Sequence, residues 1–366
     1  MARWVGPPPL LIAATVLGVL VAPQVSQADE PHRPVGVAQH GQANPLGEQL
    51  AGSRLGDGAR VPAGTTGRPS STPTSTPTAD KPKVAKPVVK KPSAKKPGKS
   101  GSIAPRLLGV ATFNEYRALS VADARADALS VTSRKGVSIV GWQEGMDDGP
   151  VYAMLAQHGW ATKRDTSRRG ARELAVSWRR SRFELVGSAL HRLARGVGQG
   201  EGQFPFGDRY ALRVTLRDRA SGQLVSVINT HLPQAVEDLD HPGHWQATKN
   251  SARAHRQLDR LTEIWDRAPG RWVIGTGDYN VDARADLAAG SARGVAGTFS
   301  GVATSSYSLL GFGDLAPTHP VTGRYIDYVH VADSDLDRGR VTVLGHRTVN
   351  GLNSDHRPLL AWLRLT

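Results

Sequence analysis

The sequence contains no cysteine. That absence excludes disulfide bonds and thiolate-held metal, and it leaves the chain insensitive to redox state. Long apolar runs are almost as scarce. The main one, residues 10–21, falls short of the ~20 residues that a membrane-spanning helix needs. It follows Met1-Ala2-Arg3 and precedes Ser26-Gln27-Ala28, which puts small residues where a secretory signal is cut, after Ala28. Export, to the medium or the cell wall, is the expectation; a retained membrane anchor is the alternative. No second candidate span exists.

Large apolar side chains are also few in residues 29–104, which are rich in Pro, Ser, Thr, Gly and Lys. Such a segment cannot bury enough surface to offset chain entropy, so a disordered linker is predicted. Residues 70–78 read as an extended Ser/Thr/Pro stalk, and residues 81–99 carry eight lysines and no acid. Residues 1–104 hold 13 Lys and Arg against 5 Asp and Glu, so +8 of the formal net charge of +14 belongs to this part of the chain. The remaining basic excess supports a nucleic-acid cleft only modestly. The lysine tract itself reads as a solvated spacer or as a contact to cell-wall polymers and other polyanions.

Residues 105–366 have a different texture, alternating apolar strands with amphipathic stretches, and predict one domain large enough for a two-sheet core. Strands are expected at 107–114, 137–144, 174–178, 183–186, 209–216, 224–229, 271–276, 324–329 and 358–363. Helices are expected at about 123–134 and at 250–266, where Ala254, Leu258, Leu261 and Trp265 recur with a helical period. Arg256 and Gln257 on that helix read as a solvated face. No internal repeat is legible.

Chemistry-bearing residues gather at the ends of these strands, in Thr112-Phe113-Asn114, Trp142-Gln143-Glu144, Asn229-Thr230-His231-Leu232, Gly277-Asp278-Tyr279-Asn280, Tyr325-Ile326-Asp327-Tyr328 and Ser354-Asp355-His356. Asp278 and Asn280, spaced i and i+2, would project from a strand end on the same side. Phosphodiesters resist hydrolysis because the attacking hydroxide meets an anionic phosphoryl group, so a catalyst needs a divalent cation, a base and donors for the transition state. Glu144 is an acid at a strand end and Asn114 a neutral oxygen donor; hard oxygen ligands favour Mg²⁺ or Mn²⁺. Asp355 would add a metal ligand, or a second carboxylate near the metal. His356 is the candidate general base, since an imidazole is half-protonated near neutral pH.

In this order and spacing the six motifs resemble the endonuclease/exonuclease/phosphatase superfamily, over roughly residues 107–366. The resemblance implies an α/β fold, a four-layer α/β sandwich of two packed mixed β-sheets flanked by helices, like deoxyribonuclease I. It implies that Asp327 pairs with His356 and that Asp278 positions or activates the nucleophile or leaving group. By the same resemblance Asn280 hydrogen-bonds the phosphate and His231 donates to it, while Arg209 and Tyr210 lie near a phosphate-contacting position. A further expectation is a cleft rim at 231–250, with His241, His244 and Trp245. Together with the N-terminal export pattern, the resemblance points to a secreted, divalent-metal-dependent phosphodiesterase, foremost an extracellular nuclease; a monomer is expected. A sphingomyelinase-type phospholipase or phosphoinositide phosphatase, and a non-catalytic surface-binding module, are the alternatives.

Overall fold

In the computed structural model the described residues are 106–146, 148–196 and 207–366. The expected signal segment, the 29–104 linker with its lysine tract, and the domain start at 105 lie outside them. The first half runs β1 (Arg106–Asn114), α1 (Val121–Thr132), β2 (Val137–Gln143), α2 (Gly149–Gln157), β3 (Trp160–Arg164), β4 (Ala175–Arg179) and β5 (Phe183–Ala194). There follow β6 (Arg209–Asp218), β7 (Leu224–His231), α3 (Lys249–Asp266), β8 (Trp272–Asp278), α4 (Ala283–Ala289), α5 (Val295–Phe299) and β9 (Ala303–Ser305). The chain ends with α6 (Ser306–Leu310), β10 (Asp327–Ala332), α7 (Asp333–Asp337), β11 (Val341–Thr348) and β12 (Leu359–Leu365).

Two six-stranded sheets result, ordered β11-β12-β1-β2-β4-β3 and β5-β6-β7-β8-β10-β9. Each contains one parallel pair joined by a long helix, β1 with β2 through α1 and β7 with β8 through α3, while the other pairings are antiparallel. A parallel pair needs a crossover connection, which is why the helices fall where they do. The sheets pack face to face with helices outside, the expected four-layer sandwich.

Strand alternation explains the layers. In β1, Leu108 and Val110 enter the core between the sheets, whereas Ala111 and Phe113 face α1 and α2, where Ala124, Ala128, Val131, Val151 and Leu155 cover them. In β2, Ile139 faces inward, and Val140 and Trp142 face outward. Both faces are buried, so these strands read as continuous apolar runs. Each fully buried large apolar side chain contributes roughly 1.5–3 kcal/mol relative to exposure.

Near the strand ends the inter-sheet core turns polar. Asn229 accepts from Gln143 Nε2 at 2.7 Å and Thr276 Oγ1 at 3.0 Å, and its Nδ2 donates to the Trp142 and Ala175 carbonyls at 2.8 and 3.0 Å. All of these side chains are buried, and leaving any one unpartnered costs about 1–3 kcal/mol. Gly141 must be glycine here, because a Cβ would stand 2.0 Å from Thr276 Oγ1 and 2.8 Å from Asn229 Oδ1. The Asn and Gln of two motifs thus pin the sheets together.

Some expectations are corrected. Gln257 is fully buried rather than on a solvated face, because Ala254, Gln257, Leu258, Leu261, Ile264 and Trp265 form the inward stripe of α3. The strand expected at 183–186 extends to Ala194, and that expected at 324–329 begins only at Asp327. The strand expected to end in Glu144 ends at Gln143. Short elements, among them α2, β3 and β11, were not foreseen.

Candidate active site

The pairing registers bring the six motifs to one edge. Asn114 stands opposite Gln143 at the ends of β1 and β2, His231 opposite Asp278 at the ends of β7 and β8, and Asp327 opposite Asp278 where β10 begins. Thr112 pairs with Leu359, so the loop carrying Asp355 and His356 enters β12 beside Asn114.

Buried hydrogen bonds fix that loop. Asp127, on the buried face of α1, accepts from the backbone N–H groups of Asn353 and Ser354 at 2.9 Å each through Oδ2. Ser354 Oγ then donates to the Asn114 carbonyl at 2.8 Å and accepts from His356 N at 3.0 Å. Ties also reach the preceding loop, where Arg357 N donates to the Thr318 carbonyl at 2.6 Å and Arg357 Nη1 to that of Pro317 at 2.8 Å.

His356 Nδ1 lies 2.8 Å from Asp327 Oδ2, and both side chains are buried. Its Nε2 is 3.8 Å from Asp278 Oδ2. Burial alone would lower the imidazole pKa, but Asp327 foremost, then Asp278 and Asp355, push it up to about 10. Across the same space Asn114 Nδ2 donates to Asp278 Oδ2 at 3.0 Å, linking the two sheets. Asp278 Oδ1 accepts from Asn280 N at 2.8 Å. Asn280 leaves the strand in a left-handed conformation at φ 54°, so a tight turn, not the strand pleat, brings it to the site. Its Nδ2 is 3.2 Å from His231 Nε2.

His231 belongs to a second buried charge group. Its Nδ1 is 3.3 Å from Glu173 Oε2, and Arg209 pairs with the other Glu173 oxygen. Burial would raise the Glu173 pKa, but Arg209 and His231 hold it at about 2. For His231 burial acts downward, yet the Glu173 carboxylate outweighs it and keeps the imidazolium favoured above its usual range. Glu173 and Asp127 were missed from sequence. Asp127 left a signal, an acid interrupting the apolar stripe of Ala124, Ala128 and Val131; Glu173 left none.

Among the expected metal residues, Glu144 sits at φ 61° just beyond β2. Non-glycine residues there cost of order 1–3 kcal/mol and concentrate at functional sites. Among the described residues only Tyr116, Glu144, Ala235 and Asn280 combine a side chain with positive φ, and Glu144 and Asn280 were both expected in the site. Glu144 Oε2 accepts from Arg117 N at 3.2 Å, and Asn114 Oδ1 from Tyr116 N at 3.0 Å. Asp355 is held above the usual carboxylate range by burial, with Glu144 and Asp278 adding to it against the opposing pull of His356. Its Oδ1 is buried with no partner from another residue. Crowded carboxylates and an orphaned oxygen fit a hard divalent cation, which would relieve both.

Tyr210 is corrected as a substrate contact. It follows Arg209 on β6, turns to the opposite face and packs in the inter-sheet core, 8 % exposed. In the rim segment, Glu237 and Trp245 form a β-bridge while His241 and His244 lie on the surface. His319, also unforeseen, packs its ring 4.8 Å from that of His356. Burial, then the neighbouring His356, pushes its pKa down to about 4.

The architecture is the endonuclease/exonuclease/phosphatase fold. The chain is similar to TDP2 of D. rerio complexed with single strand DNA product, at 17 % identity over 70 % of this chain and 98 % of that one, with a TM-score of 0.52. It is likewise similar to an endonuclease/exonuclease/phosphatase from Bacteroides vulgatus, at 17 % identity over 71 % and 100 % of the two chains and a TM-score of 0.52. A family protein from Bacteroides thetaiotaomicron gives 16 % identity, 72 % and 97 % coverage and a TM-score of 0.50. No family model and no curated protein matches the chain.

Proposed function

We propose that this protein is a divalent-metal-dependent phosphoesterase that hydrolyses phosphodiester bonds in nucleic acid and acts outside the cell. The observation that carries the reading is the buried His356–Asp327 pair, whose Nε2 opens toward Asp278 in a centre crowded with carboxylates. In its neutral form, which a bound divalent cation would favour by lowering the pKa, His356 takes the proton of the attacking water, while Asp327 holds its ring and tautomer. His231, whose imidazolium Glu173 favours, and Asn280 donate to the phosphate as negative charge develops. Glu144, Asn114 and Asp355 would hold Mg²⁺ or Mn²⁺, which when bound supplies positive charge to the phosphoryl oxygens.

Two observations favour a polynucleotide over a small phosphomonoester. A solved protein of the same fold, D. rerio TDP2, carries single-strand DNA product. Residues 163–172 also hold Lys163, Arg164, Arg168, Arg169 and Arg172 against the one acid Asp165, and three of the arginines are exposed. Arg164 Nη2 ties this loop to the carbonyls of Gly145 and Met146 at 2.8 and 2.7 Å, next to Glu144. Secretion rests on the N-terminal sequence pattern alone.

The test is hydrolysis of plasmid DNA, RNA, sphingomyelin and inositol phosphates by the full chain with Mg²⁺, with and without chelator. Cleavage of nucleic acid, lost on chelation, is expected. Turnover confined to sphingomyelin or inositol phosphates would replace the substrate class, and no turnover at all would favour a binding module.

A further inference from the structure

Two imidazoles and a carboxylate converge beside the oxygen-rich centre. Ligand atoms of His319, Asp355 and His356 all lie within 4.8 Å of one another, and His319 Nε2 stands 3.9 Å from Asp355 Oδ2. Both rings have Nδ1 engaged by an oxygen, Thr322 Oγ1 at 2.7 Å for His319 and Asp327 Oδ2 at 2.8 Å for His356. That leaves the two Nε2 atoms as donors, and an oxygen partner on the far nitrogen is how proteins orient imidazoles toward a metal.

We propose that His319 Nε2, His356 Nε2 and Asp355 chelate a transition-metal ion of the Zn²⁺ class, and that this binding inhibits the enzyme by occupying the lone pair of His356. The inhibitory half rests on the reading of His356 as general base; the binding half does not. The site shares Asp355 with the Glu144 and Asn114 set but differs from it in donor chemistry, because imidazole suits zinc while oxygen-only sets suit Mg²⁺. Tetrahedral zinc with bonds of about 2.0–2.1 Å holds its ligand atoms about 3.3 Å apart, so side-chain adjustment must close the 3.9 Å His319–Asp355 separation and the others, which reach at most 4.8 Å. The two loops supplying the ligands are already stapled, through the bonds from Arg357 to Thr318 and Pro317. The partnerless Asp355 Oδ1 faces no competing donor from another residue.

The experiment uses the full chain with Mg²⁺ in excess. Zn²⁺ affinity is read by competition with a chromophoric chelator, and Co²⁺ serves as a visible-absorption probe of site geometry. His319→Ala should bind Zn²⁺ at least ~10–100-fold more weakly, the loss that removal even of an outer partner causes, and should lose the tetrahedral Co²⁺ band. Without Zn²⁺ its Mg²⁺-supported rate should match the wild type, and its inhibition curve should shift to higher Zn²⁺ by the same factor. Circular dichroism checks that the variant is folded, and Asp355→Asn provides an independent loss of affinity. Equal Zn²⁺ affinity and identical Co²⁺ spectra in wild type and His319→Ala overturn the site. A lost Co²⁺ band in a protein that hydrolyses no phosphoester would uphold the site and refute only the catalytic reading.

Discussion

His356 Nδ1 and Asp327 Oδ2 are 2.8 Å apart, yet 29 residues separate them in sequence, and Asp327 is fully buried. A pair that acts as one base-orienter unit loses most of its value when either member goes. His356→Ala and Asp327→Ala should each lower kcat by ~10²–10⁴-fold, and the double variant should be little worse than the poorer single. A double loss equal to the product of the single losses refutes the pairing.

The same carboxylates set a pH signature. The His356 pKa lies above its ordinary value, so in metal-free protein this group stabilises the fold fully below about 6.5 and loses that contribution as pH rises through about 10. Adding Mg²⁺ should lower the pKa, because the new positive charge opposes the imidazolium. Proton NMR titration of the His356 ring with chelator and with Mg²⁺ checks this. Glu144→Gln should weaken Mg²⁺ binding and shrink both the pKa change and turnover while the fold persists. Full activity in excess chelator sinks the metal assignment.

Much of this centre was legible because strand-end motifs place chemistry where backbone registers force it together. Asn114, Asp278 and Asp327 sit where the alternation of buried strands requires, and His356 in the loop that enters β12 beside them. What stayed hidden depended on tertiary closure. The partner of His231 is Glu173, 58 residues away, and no local pattern distinguishes that acid from a surface one. Tyr210 was misplaced because the pleat turns neighbouring residues to opposite faces, so Arg209 and Tyr210 could not share a role. Asn229 and Gln143 stood within recognised motifs, yet their work in joining two sheets became visible only once those sheets were packed.

Glu173 supports a prediction with the opposite sign. Its pKa is held down at about 2, so its stabilisation is present above about 4.5 and disappears as pH falls toward about 2, an upper bound of roughly 3 kcal/mol. Glu173→Gln should therefore lower Tm at neutral pH and flatten the acid limb of the stability curve. It should also reduce kcat more than it raises KM, since His231 loses the carboxylate that favours its imidazolium. Thermal melts across acidic pH, with steady-state kinetics at neutral pH, check both. An unchanged acid limb would show that the Arg209–Glu173–His231 group contributes nothing net.

The arginine-rich loop at 163–172 gives the sharpest test of substrate class. Arg168, Arg169 and Arg172 are exposed, and Arg164 anchors the loop to the Glu144 turn. If they track non-scissile phosphates, each contact releases condensed counterions, with a slope of log K against log salt of ~0.7 per phosphate on single strands and ~0.9 on duplex DNA. The triple change to alanine should then weaken binding of a long single strand and reduce the salt slope by about two. Glu144→Gln can be included to prevent cleavage during the titration. Hydrolysis of a small soluble phosphodiester, which cannot reach the loop, should change less than threefold or so, because electrostatic steering of a small ion by exposed charges is largely screened at physiological salt. Equal salt slopes for the two proteins would remove the loop from the nucleic-acid surface. An equal loss on long and short substrates would instead show that the arginines shape the Glu144 turn, since only a structural fault at that turn reaches both.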